Sequence, residues 1–168
     1  MRLPSSTIAE LRAQLRAHGP VSLNDGRRAI AQNRFNMRWR WQYHSTGVGG
    51  CEIPRVNVRV DMALIYPRWL DRDTTDTALV AWWNRQEARL KEHEEGHGII
   101  TLDAAERIVK TIRGMSGGSC DALGIRANGI ARRIFDDLRA RQRQFDASNT
   151  AGQRAMVDSI RGSARKDP

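Results

Sequence analysis

The sequence is organised around the stretch His93-Glu94-Glu95-Gly96-His97. In a helix, residues four apart lie one turn above each other, with Cβ atoms about 5 to 6 Å apart. His93 and His97 can therefore direct imidazole nitrogens at one metal ion. Glu94 is rotated from His93 by about 100°, which suits a general base that hydrogen-bonds water without being a metal ligand.

Apolar residues around this stretch recur every three or four positions, the period of an amphipathic α-helix. The pattern predicts a helix over about 77–113 with both histidines on its buried face. That face comprises Leu79, Trp83, Gln86, Leu90, His93, His97, Ile100, Ala104, Ile108 and Ile112. The alternative is two half-buried histidines with ordinary hydrogen-bond partners. We favour the metal because one ion satisfies both imidazoles.

Length and composition indicate a single globular domain, which we assign to residues 1–161, followed by a disordered tail over 162–168. No apolar run reaches the roughly 18 residues of a membrane span, and no signal peptide is recognisable after Met1. The net charge of +9 rests on scattered arginines. A solvated surface explains such scatter better than an anionic partner does, and nucleic acid is the least expected partner.

Two segments alternate apolar and polar residues, the pattern of a β-strand with one buried face. They cover 35–43 and 56–64, and the glycine-rich segment 45–50 joins them. The pair most simply forms an antiparallel hairpin, which needs a helix to cover its apolar face. Asn24-Asp25-Gly26 predicts a turn before the first strand.

Three further helices are predicted. A capping box that starts at Thr7 begins a short helix, which ends at Gly19-Pro20. Ser119 is a suitable N-cap for a longer helix with apolar residues up to Phe145, and a separate short helix follows Thr150. The fold class is therefore α+β, an antiparallel β-hairpin covered by the histidine-bearing helix and by an antiparallel partner helix.

Five motifs occur together in a fixed order. They are Asp25-Gly26, Trp39-x-Trp41-x-Tyr43, Gly50-Cys51 followed by alternating valines, Tyr66-Pro67-x-Trp69 and His93-Glu94-x-Gly96-His97. Through these motifs the chain resembles, over about residues 21–152, a bacterial family named after the domain of unknown function 922 (DUF922). The members of this family are described as predicted secreted zinc-dependent proteases. The resemblance implies an extracytoplasmic metalloprotease with a disulfide between Cys51 and Cys120. From spacing alone, these cysteines could equally be two buried thiols.

The two histidines leave the identity of the third metal ligand undetermined. Catalytic zinc uses three protein ligands and keeps one position free. The family pattern has a histidine where this chain has Ala151, and no histidine follows His97. The remaining candidates are the carboxylates of the returning helix, Asp136, Asp137 and Asp146. We favour Asp146, because antiparallel pairing would return this part of the helix toward the histidines.

The leading interpretation is a monomeric zinc-dependent peptidase that acts on peptide or protein substrates. His93, His97 and Asp146 would hold Zn²⁺, and Glu94 would take a proton from the attacking water. Tyr43-His44 or an arginine could stabilise the oxyanion. The alternative is a catalytically inactive relative that binds an anionic or protein partner.

Overall fold

The computed structural model describes the backbone of residues 2–3, 7–21, 26, 28–47, 49–72 and 76–163, and within these ranges the side chains of 7–148. Its elements are β1 (Arg2–Leu3), α1 (Ile8–His18), β2 (Gln32–Ser45), β3 (Cys51–Ile65), β4 (Arg68–Trp69), α2 (Thr77–Ile112) and α3 (Cys120–Ser163). Strands β2 and β3 form a two-stranded antiparallel sheet. The α+β fold class is thus confirmed. The chain divides into two compact units, one formed by Met1–Arg38 with Arg59–Ile99 and the other by Trp39–Val58 with Ile100–Pro168.

The first unit has a small apolar core that joins three elements. Leu11 and Leu15 of α1 pack with Trp69 of β4 and with Leu79 and Trp83 of α2. The two tryptophan rings lie 5.8 Å apart at an angle of 53°, a tilted arrangement that aromatic pairs favour. The periodicity placed Leu79 and Trp83 on the buried face of their helix, and both are buried.

The ends of α1 follow the local sequence. Thr7 is the N-cap, and its hydroxyl accepts a hydrogen bond from the backbone N–H of Glu10 at 3.2 Å. The predicted helix start is therefore confirmed. At the other end a Cβ on Gly19 would lie 1.8 Å from the carbonyl oxygen of Ala29, so this close backbone approach requires glycine. Of the predicted turn at 24–26, only Gly26 lies within the described residues, with a φ of 70°.

The hairpin has the predicted alternation but is longer than the pattern indicated. The middle of the apolar face is buried or half-buried, namely Phe35, Met37, Trp39, Trp41, Val56, Val58 and Val60. Three other residues of the predicted face, Tyr43, Met62 and Leu64, are exposed. Strand β3 begins at Cys51, directly after the glycine-rich segment 45–50, and therefore includes residues that precede the alternating segment 56–64. The alternation changes phase at Pro54-Arg55, where two consecutive residues are exposed between buried Ile53 and half-buried Val56. A search for strict alternation loses the first part of such a strand.

The beginning of β3 is held by backbone hydrogen bonds to the connection after α2. The N–H of Ile53 donates to the carbonyl of Met115 at 2.9 Å, and Gly114 donates to the carbonyl of Ile53 at 2.8 Å. Gly117 donates to the carbonyl of Cys51 at 3.0 Å. The same region carries the Cys51–Cys120 disulfide, which confirms the pairing that the family resemblance implied.

Helix α2 begins and ends within a residue of the predicted bounds. The carboxylate of Asp76 accepts from the backbone N–H of Ala78 at 3.0 Å, which caps the first turn. Lys91 and Glu87 form the expected i,i+4 ion pair, with Nζ and Oε1 3.2 Å apart. The outer face is exposed, and Thr101, Ala104, Ile108 and Ile112 are buried. The amphipathic interpretation of this segment therefore holds over its whole length.

Helix α3 begins as predicted but ends later. Ser119 accepts from the backbone N–H of Ala122 at 3.2 Å, and the helix continues to Ser163 with no break near residue 145. The expected separate short helix after Thr150 is therefore wrong. The segment 146–163 contains no proline, so nothing in it enforces a helix end. The last residues of the predicted tail, 164–168, lie outside the described residues.

Within the second unit, α2 and α3 are antiparallel. Gln142 Nε2 donates to the hydroxyl of Thr101 at 3.0 Å, and both side chains are buried. Arg107 pairs with Asp137 at 2.6 Å. Later residues of α2 therefore pair with earlier residues of α3, which confirms the predicted antiparallel arrangement. Among the described helices, none is long and apolar enough to cross a membrane.

Candidate metal centre

His93 and His97 lie one turn apart on α2 with their Nε2 atoms 3.2 Å from each other. The rings are nearly perpendicular, with centroids 4.7 Å apart, and both side chains are half-buried. Two imidazole nitrogens that bind one tetrahedral zinc ion at 2.0–2.1 Å lie about 3.3 Å apart. The two residues therefore fit the ion as a bidentate pair. Without a metal, the contact is that of an N–H of one ring donating to the other.

Glu94 occupies the position between the two histidines and is 4% exposed. Its neighbour Glu95 lies on the outer face and is exposed. Since burying a carboxylate is costly unless it has partners or a function, this contrast sets Glu94 apart from the other glutamates of α2. It is the residue for which the sequence predicted the general-base role.

Asn33 of β2 joins the hairpin to this turn of α2. Its Nδ2 donates to the backbone carbonyl of Glu94 at 3.2 Å. Asn33 and Met62 lie beside Gly98, where a Cβ would be in ordinary van der Waals contact with Asn33 Nδ2 at 3.7 Å and with the sulfur of Met62 at 3.9 Å. The Oδ1 of Asn33 is buried and has no hydrogen-bond partner among the described residues. An acceptor left in this state costs about 1–3 kcal/mol, so a bound water or a ligand N–H would be stabilising here.

Tyr66 is the residue that sequence reasoning missed. Burial raises the pKa of its phenol, and the negative charges of Glu94 and Glu95 raise it further. Tyr66 thus keeps its proton at neutral pH and can donate a hydrogen bond to an anionic oxygen. The signal was the Tyr66-Pro67-x-Trp69 motif, which supported the family resemblance but carried no chemical role.

The candidates for the third ligand lie on α3, in the second unit. Asp146 is exposed, and its assignment as a ligand stays a prediction. Asp136 is also exposed, whereas Asp137 forms the ion pair with Arg107. Ala151 lies in the segment whose side chains are not described.

Tyr43 and His44, the two residues named as candidates for oxyanion stabilisation, have other neighbours in the second unit. A Cβ on Gly124 would lie 2.1 Å from the hydroxyl of Tyr43, so the phenol packs directly on α3. His44 Nδ1 lies 2.8 Å from a carboxylate oxygen of Glu52. Neither Tyr43 nor His44 lies in the unit that contains His93 and His97.

Comparison with known proteins gives one match. No curated protein and no solved structure matches the chain. A family model with the description "Bacterial protein of unknown function (DUF922)" matches residues 2–153, which include every element from β1 to β4 and all of α2. The chain therefore belongs to the DUF922 family.

Proposed function

We propose that this protein is a zinc-dependent peptidase that hydrolyses peptide bonds in peptide or protein substrates. The observation that carries the proposal is the separation of 3.2 Å between His93 Nε2 and His97 Nε2, which matches a bidentate zinc pair. The buried Glu94 between them is the second support. Since the family is one of unknown function, the proposal rests on this geometry.

Each residue of the centre has a role in the proposal. When bound, a zinc ion would supply a Lewis acid that polarises the scissile carbonyl and makes water nucleophilic near neutral pH. His93 and His97 hold the ion through their Nε2 atoms. Glu94 accepts the proton of the attacking water and donates it to the leaving amine. Tyr66 donates its phenol hydrogen to the oxygen on which negative charge develops.

We keep Asp146 as the proposed third ligand. A carboxylate is a common zinc ligand beside two histidines, and the family histidine is replaced here by Ala151. The assignment can fail without affecting the pair formed by His93 and His97, because the two histidines lie on one helix and need no second element to meet.

The proposed compartment is extracytoplasmic. The Cys51–Cys120 disulfide supports this, because structural disulfides persist in oxidising compartments and are rare in the cytosol. Thiol titration of the denatured, unreduced protein recovered from the native host should find no free thiol. Two free thiols would remove the support.

The experiment pairs Glu94→Gln with Glu95→Gln. Both substitutions remove one negative charge from adjacent positions of α2, but Glu94 is buried and Glu95 is exposed. Zinc content is measured by elemental analysis of protein purified without chelators, and activity by cleavage of a generic unfolded protein. Glu94→Gln should retain zinc and lose about 100- to 10,000-fold in kcat, whereas Glu95→Gln should retain both.

Two results would overturn the proposal. The first is protein without bound zinc that also fails to take up the ion when it is added. The second is equal activity of the two variants, which would remove Glu94 from the reaction.

A second candidate function is that of an inactive relative that binds a protein or an anionic partner. The feature that favours it is Ala151, which stands where the family resemblance implies a histidine. Zinc uptake without any cleavage by the wild-type protein would support this candidate. Cleavage that disappears in Glu94→Gln would exclude it.

A further inference from the structure

The second unit contains a cleft of about 670 Å³. It is lined by Arg40, Trp41 and Gln42 of β2, by Arg55, Val56 and Asn57 of β3, and by Val109 and Arg113 of α2. We call it the arginine cleft. Its volume falls in the range of about 300–1,000 Å³ that is typical of small-ligand sites. None of its lining residues is one of the residues assigned to the metal centre.

The three arginines of the cleft carry positive charge that no described residue neutralises. Arg40, Arg55 and Arg113 are exposed, and the guanidinium group of none of them has a hydrogen bond or an ion pair with a residue that the structure describes. No acidic residue lines the cleft. Some other arginines are neutralised, as where Arg38 and Arg59 share the carboxylate of Asp61. The arginine cleft is therefore a local excess of positive charge.

Guanidinium groups bind carboxylates and phosphates, with which they form paired, charge-assisted hydrogen bonds. Three such groups around one cleft match a ligand with two or more negative charges. A small inorganic ion would fill only a fraction of the volume and would contact only the guanidinium groups. The remaining lining residues therefore decide what kind of anion fits.

Those residues are apolar and amide side chains. Trp41, Val56 and Val109 are half-buried and offer apolar surface. Gln42 and Asn57 offer carboxamides, which both donate and accept hydrogen bonds as a peptide group does. This combination matches a chain that carries carboxylates, amide groups and an apolar side chain.

We propose that the arginine cleft binds a short acidic peptide segment. Its carboxylates pair with Arg40, Arg55 and Arg113, and an apolar side chain packs on Trp41. The proposal goes beyond the peptidase function and does not rest on it, since binding here requires neither metal nor Glu94.

The test compares two triple variants that lose the same charge. In the cleft variant, Arg40, Arg55 and Arg113 are replaced by glutamine. In the control variant, glutamine replaces three exposed arginines of α3 that do not line the cleft, Arg132, Arg133 and Arg143. The probe is a dye-labelled peptide of alternating glutamate and leucine, and a glutamine-leucine peptide of the same length is its neutral counterpart. Binding is followed by fluorescence anisotropy, with peptide integrity checked by mass spectrometry.

The cleft variant should bind the acidic peptide about 3- to 125-fold more weakly than wild type, because each of three exposed ion pairs contributes a factor of about 1.4 to 5. The control variant should stay within about twofold of wild type, because distant exposed charges are screened by salt. The neutral peptide should not bind. Circular dichroism and melting of all variants check that they fold.

Three results would overturn the proposal. If both triple variants weaken binding equally, net charge alone attracts the peptide. If the cleft variant binds like wild type, the arginines of the cleft are not used. If inorganic phosphate or short single-stranded DNA binds through these arginines and the acidic peptide does not, the ligand is a phosphate compound. The assay is run with Glu94→Gln in parallel, so that failure here and failure of the peptidase proposal are distinguished.

Discussion

Replacing both Cys51 and Cys120 by alanine should lower the free energy of unfolding by about 4.4 kcal/mol in the chain-entropy model for a closed loop of this length. The loop follows from the structure, since the bridge joins residues 69 positions apart. Removing the bridge frees the unfolded chain, and the larger entropy of the unfolded state lowers stability. For a chain of this size, the loss corresponds to a melting temperature lower by about 9–18 °C.

The folded state should change little, because the ends of the bridge are also held by other contacts. Backbone hydrogen bonds connect Ile53 with Met115 and Gly114, and Cys51 with Gly117. These bonds do not depend on the sulfur atoms. Far-ultraviolet circular dichroism of the double variant should therefore match that of wild type at low temperature, and the effect should appear only in stability.

The assay is urea unfolding and thermal melting, each with and without a phosphine reductant. Reduced and unfolded wild-type protein should refold to the stability of the double variant, and the reductant should not affect the variant itself. A loss below about 1 kcal/mol would refute the reasoning, because it would mean that residual structure already restricts the unfolded chain. A response of the double variant to the reductant would show that the assay measures something other than the bridge.

Five further substitutions each test one residue. Gly19→Ala should lower the melting temperature of the metal-free protein because its Cβ would meet a backbone carbonyl at 1.8 Å. Gly98→Ala should raise stability by up to about 1 kcal/mol, because its Cβ would make only ordinary van der Waals contacts. The guanidinium of Arg141 donates a hydrogen bond to Asp103 and holds the pKa of this carboxyl below its ordinary value of 3.8. The carboxylate therefore stabilises the fold at pH values above 3.8, and this stabilisation is lost as the pH falls through the lowered pKa. Asp103→Asn should accordingly lower the free energy of unfolding measured in urea at pH 7. It should also make this free energy depend less on pH in the acid range. Asp146→Ala should weaken zinc binding in a competition titration if this carboxylate is a ligand, and leave it unchanged otherwise. Tyr66→Phe should lower kcat with KM and zinc content retained, and equal kcat would remove the phenol from the reaction.

The parts of the fold that local sequence determines were predictable. Helix α2 was recognised because its apolar period extends over more than nine turns, and the start of α1 because a capping box needs only four residues. One feature was missed because it depends on distant parts of the chain. The parallel pairing of β1 with β4 involves two residues on each side, too few to form a pattern.

The same distinction between local and distant determinants applies to the residues of the candidate site. Helix geometry alone brings His93 and His97 together, so recognising the helix was sufficient to predict the pair. No residue spacing could predict that Asn33 would donate to the carbonyl of Glu94, because β2 and α2 meet only in the folded unit. The position of Tyr66 likewise depends on where the chain runs after β3, which no residue spacing could predict.

This difference has a consequence for how the site works. A histidine pair on a lone helix would be exposed on all sides, and a glutamate beside it would be solvated like Glu95. Here the strand that carries Asn33 packs against the same turn, and Glu94 is 4% exposed. Burial strengthens the electrostatic interactions of that carboxylate. Through Asn33 the hairpin therefore contacts the turn of α2 that carries the proposed general base, although no metal ligand has been assigned to the hairpin.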